Sequence, residues 1–120
     1  MQSMKAWVLA AAMLLGSQAA SAFEPAPSVV AVRYAVTEQS PERVEQAVTN
    51  PLERTLLKLP RVTGISSATS HGSIVLEIQF EGGAQQQDAE AVSRHIEKLV
   101  FGSEVVVTSR TVSLAAQRMD

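Results

Sequence analysis

Cysteine is absent from all 120 residues, and this removes whole classes of chemistry. Without thiols there is no disulfide framework, no thiolate metal site and no cysteine nucleophile, so packing alone must hold the fold. Aromatic residues are scarce, with one Trp, one Tyr and three Phe, and offer no stacking platform for bases. Ten Lys and Arg against twelve Asp and Glu leave a formal net charge of −2 and no basic run. Both observations argue against nucleic-acid binding. The two histidines, His71 and His95, stand far apart, and without cysteine they do not make a zinc or copper site. No glycine-rich loop precedes a helix, because Gly82-Gly83 closes a strand pattern instead. Ser66, Ser67, Ser70 and Ser73 fall on strands and a turn, where small polar fillers are ordinary, and no base and orienting group are tied to them. We expect no catalytic residue, no metal and no cofactor.

The chain also has no apolar run of the roughly 20 residues that a spanning helix needs. Its one hydrophobic stretch, Ala6 to Gly16, follows Lys5 and precedes Ala20-Ser21-Ala22, the small residues that a signal peptidase takes. Glu24, Pro25 and Pro27 come directly afterwards and break any helix. Residues 1–22 therefore read as a signal peptide and residues 23–120 as one domain, exported to the periplasm with no integral membrane segment. The missing cysteine near the cleavage site argues against a lipid anchor.

What is present is a regular alternation of elements. Residues 23–28 read as a Pro-rich leader, and Ser28 to Val36 as strand β1, with Val30, Val32, Tyr34 and Val36 as its inward set. Ser40 caps a helix that starts at Pro41, where a missing N–H costs nothing. Over 41–59, Val44, Val48, Leu52, Leu56 and Leu59 fall within about 120° at 100° per residue. Pro51 interrupts this helix, and because the apolar stripe keeps its phase we expect a kink near Val48 to Pro51 and no break. Val62 to Thr69 reads as a weak strand, and Ser70-His71-Gly72 as a turn. Ile74, Leu76, Ile78 and Phe80 then alternate with polar neighbours in the clearest strand of the chain. A second helix is expected over 87–100, with Ala89, Val92, Ile96, Leu99 and Val100 on its apolar side, and a last strand over Glu104 to Leu114, followed by a polar tail. The order β-α-β-β-α-β, with one apolar stripe per helix, predicts an α+β, ferredoxin-like fold in which two helices cover one face of a four-stranded antiparallel sheet.

Ser40-Pro41-Glu42-Arg43-Val44-Glu45-Gln46-Ala47-Val48-Thr49-Asn50-Pro51-Leu52-Glu53 resembles the first porter helix of the resistance-nodulation-division (RND) efflux transporters, roughly S/A-P-E-x-V-E-x-x-V-T-x-P-L-E. Leu59-Pro60-Arg61-Val62 is similar to that family's L-P-G-V turn, with Arg61 where glycine is usual. Ser67 to Ser73 resembles its S-x-S-x-x-G-x-S hairpin, Phe80-Glu81-Gly82-Gly83 its F-E-x-G, and Asp88-Ala89 with Val92 the start of its next helix. The resemblance covers about residues 34–100. It departs at Tyr34-Ala35-Val36-Thr37, where the family usually has Tyr-Pro-Gly-Ala. The long transporters keep a proton relay within their membrane helices, and no segment here can host one.

The resemblance implies a porter-like domain without turnover of its own. Its expected role is that of an accessory or regulatory binding module in an envelope transport system, with a transporter or adaptor protein, or further copies of itself, as partners. The first helix, α1, expected over 41–59, is the candidate partner-facing element, through Pro41, Arg43, Glu45, Asn50, Pro51 and Arg54. The hairpin turn at His71 and Gly72 is a second candidate, with an exposed turn residue as the plainer reading of His71. The uncovered sheet face, with Val29, Ala31, Arg33, Val75, Glu77 and Gln79, is a third. Two other readings remain open: a free binding protein for a hydrophobic small molecule, and a truncated fragment of a pump gene.

Overall fold

The computed structural model describes residues 27–103 and 105–118. The signal segment, its cleavage site, the first residues of the Pro-rich leader, the expected strand start at Glu104 and the last two residues of the tail lie outside these.

Strand β1 (Ser28–Val36) buries Val30, Val32, Tyr34 and Val36 on one side, as the alternation requires. It forms the middle of a four-stranded sheet with β2 (Val62–Ser70), β3 (Ser73–Phe80) and β4 (Val107–Ala116), in the spatial order β2-β3-β1-β4. Every neighbouring pair is antiparallel. Helices α1 (residues 41–56) and α2 (Gln86–Glu97) cover the same face, where Val44, Val48, Leu52 and Leu56 meet Ile74, Leu76, Ile78 and the inward residues of β1. α1 is tied to β2, through Thr49 and Thr69 hydroxyls 2.9 Å apart and the Ser67 hydroxyl donating to Glu53 at 2.7 Å. α2 packs over β1 and β4.

α1 is unbroken but not uniform. It comprises an α-turn, Pro41–Val44, a π segment, Glu45–Thr49, and a second α stretch, Asn50–Leu56. Its four fully buried apolar residues, Val44, Val48, Leu52 and Leu56, recur at every fourth position. In a regular α-helix that spacing drifts by about 40° per step, because a turn takes 3.6 residues. The wider π turn, marked by Asn50 N–H bonding to the Glu45 carbonyl, takes up this drift and holds the stripe on the sheet. It ends two residues before Pro51, whose ring would otherwise crowd a carbonyl one turn back, so the irregularity expected near Val48 to Pro51 takes the form of a local widening. Burying one Val or Leu fully is worth about 1.5–3 kcal/mol, so the four together outweigh the roughly 3 kcal/mol that an interior proline costs.

Several boundaries differ from the sequence reading. α1 ends at Leu56, with Leu59 closing a turn back to the Leu56 carbonyl at 3.1 Å. α2 ends at Glu97, and Val100, expected on its apolar side, is 93% exposed. β4 begins at Val107 because the preceding valines have separate tasks. Val105 tucks into the core after a turn to the Gly102 carbonyl, and Val106 bonds Thr37 through its carbonyl and its N–H. The face away from the helices is less open than expected. Arg33 is exposed and Val75 and Gln79 half-buried, but Val29, Ala31 and Glu77 are buried. Ala31 lies between Glu77 and Ser113 in register, and the Arg118 N–H donates to the Glu77 carboxylate at 3.1 Å, bringing the segment after β4 against this face.

Candidate functional site

The start of α1 and the tip of the β2–β3 hairpin come together at one end of the sheet. Ser40 is in extended conformation at the N-cap, and its hydroxyl accepts from Arg43 N–H at 3.5 Å and donates to Glu42 at 3.1 Å. Glu38 accepts from the Ser40 N–H at 3.1 Å and faces Arg43 at 3.8 Å. Its own N–H and the Ser40 hydroxyl hold the Glu42 carboxyl below its ordinary pKa, with a further small pull from the charge of His71.

The hairpin reaches this corner through Gly72. Its φ of +73° belongs to the left-handed region that glycine enters freely, and its carbonyl accepts from the Val36 N–H at 2.9 Å. A Cβ here would lie 2.6 Å from the Gln39 amide nitrogen and 3.2 Å from the Val36 carbonyl, so the glycine is also what lets the turn approach. His71 Nδ1 lies 3.1 Å from the Gln39 carbonyl, on the exposed side of the same contact.

The structure therefore brings Pro41, Arg43, His71 and Gly72 to one corner. Beside it runs an open groove of about 390 Å³ between Arg43, Gln46 and Ala47 of α1, Glu38 and Val105. The remaining helix candidates belong elsewhere. Glu45 is exposed on the π segment, Asn50 and Pro51 are half-buried, and Arg54 is exposed about 20 Å along the axis from Pro41 at 1.5 Å per residue. The corner can exchange hydrogen bonds and ion pairs with a polar surface. Among the described residues no three His, Cys, Asp or Glu side chains stand close enough to hold a metal ion.

A second cluster was not singled out as a site from the sequence. Arg61 has φ +69°, so the left-handed turn expected of a glycine is kept by an arginine. Its guanidinium binds both oxygens of Asp88, at 2.8 and 3.1 Å, and donates to the carbonyls of Glu81 and Gly83 at 2.9 and 3.2 Å. It also lies over the Phe80 ring, 5.8 Å from the centroid. Asp88 accepts in addition from the Gln85 N–H at the start of α2, at 2.9 Å. One ion pair thus locks the turn after α1 to the turn before α2. The available signals were an arginine at a glycine position and an acid three residues into a helix.

A family model described as the AcrB/AcrD/AcrF family matches residues 7–100. The chain belongs to the AcrB/AcrD/AcrF family. The match takes in α1, the hairpin and α2, and begins at Trp7, within the segment read as a signal peptide. Among solved structures, the crystal structure of a heavy metal efflux pump is similar over 92% of this chain, with a TM-score of 0.60 and 22% identity. This AcrB/AcrD/AcrF family chain spans 12% of that pump's length, and the likeness is one of fold. No curated protein matches the chain. The resemblance to an RND transporter domain, read from Ser40 to Glu53 and the segments after it, holds. No helix among the described residues is long and apolar enough to cross a membrane.

Proposed function

We propose that this chain is a non-catalytic, periplasmic porter-like module that binds a transporter or adaptor protein in an envelope efflux system, and that its fold is ferredoxin-like. The family match over residues 7–100 carries the reading. The element order β-α-β-β-α-β and the spatial order β2-β3-β1-β4 support the fold. The corner built from Arg43, Glu38, Gln46 and the hairpin tip supports binding, since it presents charged and amide groups around an open groove.

A photo-crosslinking residue placed at Arg43 or Glu45 in intact cells, with Arg94 of α2 as the control position, tests this. The expected product is an adduct with a membrane transporter or adaptor protein, formed from α1 and not from Arg94. Absence of any such adduct from α1 overturns the binding role. Mass spectrometry of the fractionated protein tests export: the expected N-terminus is Phe23, and a chain retaining residues 1–22 in the membrane fraction overturns it.

A second reading, that these residues are one piece of a pump-length chain, is favoured by the 12% coverage of the pump and by a family match that already begins at Trp7. The size of the product on an immunoblot, no more than 12.8 kDa or that of a whole pump, separates the two readings.

A further inference from the structure

Among the described residues nothing pairs with the outer edges of β2 and β4, and the two edges are not equivalent. β2 slips register between Val62 and Gly64, and Ser67 and Thr69 are engaged by α1. β4 contains no Gly or Pro, slips register only at its start, between Val107 and Ser109, then pairs unbroken with β1 as far as Ala116, and carries a single charge, Arg110. Edge strands are commonly guarded by prolines, bulges or several charges, because a bare edge is a template for another strand.

Antiparallel geometry identifies the free groups. The Gln117 N–H donates to the Pro27 carbonyl at 3.0 Å, so residue 117 and every second residue back to 109 bond inward to β1. Arg110, Val112, Leu114 and Ala116 then direct their N–H and C=O groups to the outer edge. The β1 partners of the first three are Tyr34, Val32 and Val30, all core residues, so these side chains lie on the helix-bearing face. Val112 is partly packed on that core, and Leu114 is 39% exposed.

We propose that the outer edge of β4 pairs antiparallel with β4 of a second copy of this chain, about a two-fold axis at Ser113, joining two four-stranded sheets into one. This register sets Val112 opposite Leu114 of the second copy, twice over, and so extends each core across the seam. It sets Arg110 opposite Ala116, which keeps the two guanidinium groups apart, whereas an axis at Arg110 would oppose like charges directly. The inference rests on the strand edge alone and not on the transport reading.

The register places the two copies of Ser113, an exposed residue, in a non-hydrogen-bonded pair, with Cα atoms about 4.5 Å apart, within the roughly 4.4–6.8 Å that a disulfide accepts. Ser109, on the same face, would sit opposite residue 117 and be about 27 Å from its own counterpart at about 3.4 Å per residue. The chain has no native cysteine to interfere. The test oxidises the full chain carrying Ser113→Cys or Ser109→Cys and measures mass by non-reducing electrophoresis and sedimentation. The expected result is a covalent dimer for Ser113→Cys, with mass about twofold that of the monomer, a monomer for Ser109→Cys, and loss of the Ser113 crosslink when Leu114→Lys is added. A monomeric Ser113→Cys chain, or crosslinking at Ser109 as fast as at Ser113, overturns the proposal. So does crosslinking that survives Leu114→Lys. Association through the apolar N-terminal stretch would not discriminate between the two serines.

Discussion

Arg61 and Asp88, 27 residues apart in sequence, meet through two hydrogen bonds from one guanidinium nitrogen, at 2.8 and 3.1 Å. Asp88 is nearly buried and also caps α2, whereas the Arg61 side chain is 37% exposed and can return to water. The carboxylate is therefore the more costly partner to remove. Asp88→Ala is expected to destabilise the fold by about 2 kcal/mol, the sum of a charged hydrogen bond discounted for exposure and a lost cap. Asp88→Asn, which keeps an acceptor, should lose about half of that. Urea unfolding monitored by circular dichroism checks both, and equal losses would show that the charge is not what matters.

Arg61 has two opposed roles, and two substitutions separate them. Its left-handed backbone costs an L-residue about 1 kcal/mol that glycine does not pay. Arg61→Ala loses the guanidinium bonds and keeps the strain, and Arg61→Gly loses the bonds and relieves it. Both should be less stable than the parent, with Arg61→Gly ahead of Arg61→Ala by about 1 kcal/mol in the same assay.

Gly72 and Gly82 share positive φ, +73° and +78°, but not surroundings. A Cβ at Gly82 meets nothing within 4 Å, while one at Gly72 meets Gln39 and the Val36 carbonyl. Gly82→Ala should cost about 1 kcal/mol in backbone strain alone. Gly72→Ala should cost more and should shift the amide resonances of Val36 and Gln39, since the Gln39 side chain must swing aside and the Val36 carbonyl must give way. Identical losses would mean that the tip does not hold the corner together.

The cap at Ser40 carries a pH dependence. Because the folded state lowers the Glu42 pKa, this group contributes stability above its ordinary value of 4.5 and loses it as pH falls through the folded value. In Ser40→Ala the Glu42 pKa, followed by NMR titration, should rise toward the ordinary value, and α1 should lose about 1 kcal/mol of capping. An unmoved titration would mean that the hydroxyl does not bind the carboxylate in solution.

Tyr34 is buried, stacks edge-on against Phe101 at 5.8 Å, and leaves its hydroxyl without a hydrogen-bond partner. Burial raises its pKa above 10.0, partly opposed by the charge of Arg110 and by a loose side-chain approach of that guanidinium that falls short of hydrogen-bond geometry. Its contribution to stability is accordingly present below pH 10 and lost as pH rises through the higher folded value. Tyr34→Phe removes an unsatisfied buried group and should leave stability unchanged or raise it by up to about 1 kcal/mol. A clear loss would reveal a bond to the hydroxyl.

Much of this architecture is legible in the chain because it follows from periodicity. The limits of β1, the inward side of β3 and the stripe of α1 each rest on a repeated pattern that one face of a sheet must bury. What escapes is set by single events between distant residues. The π turn is hidden because Val44, Val48, Leu52 and Leu56 satisfy a loose helical stripe equally well, and only the burial of all four against one sheet face selects the wider winding. Val105, Val106 and Val107 look alike as strand formers, yet packing, a link to Thr37 and the ladder each claim one of them. At the candidate corner, the cap at Ser40-Pro41 was readable, but its union with His71 and Gly72 depends on a hairpin folding back across more than thirty residues, with His71 and Gln39 32 apart.

The widened winding at Glu45–Thr49 also means that α1 holds more chain than a regular coil would need over the same length. A relative lacking one amino acid in this stretch can wind normally and still present an equivalent oily seam to the strands below. A gap of one position here is therefore a bookkeeping difference between sister sequences, not a sign of another architecture.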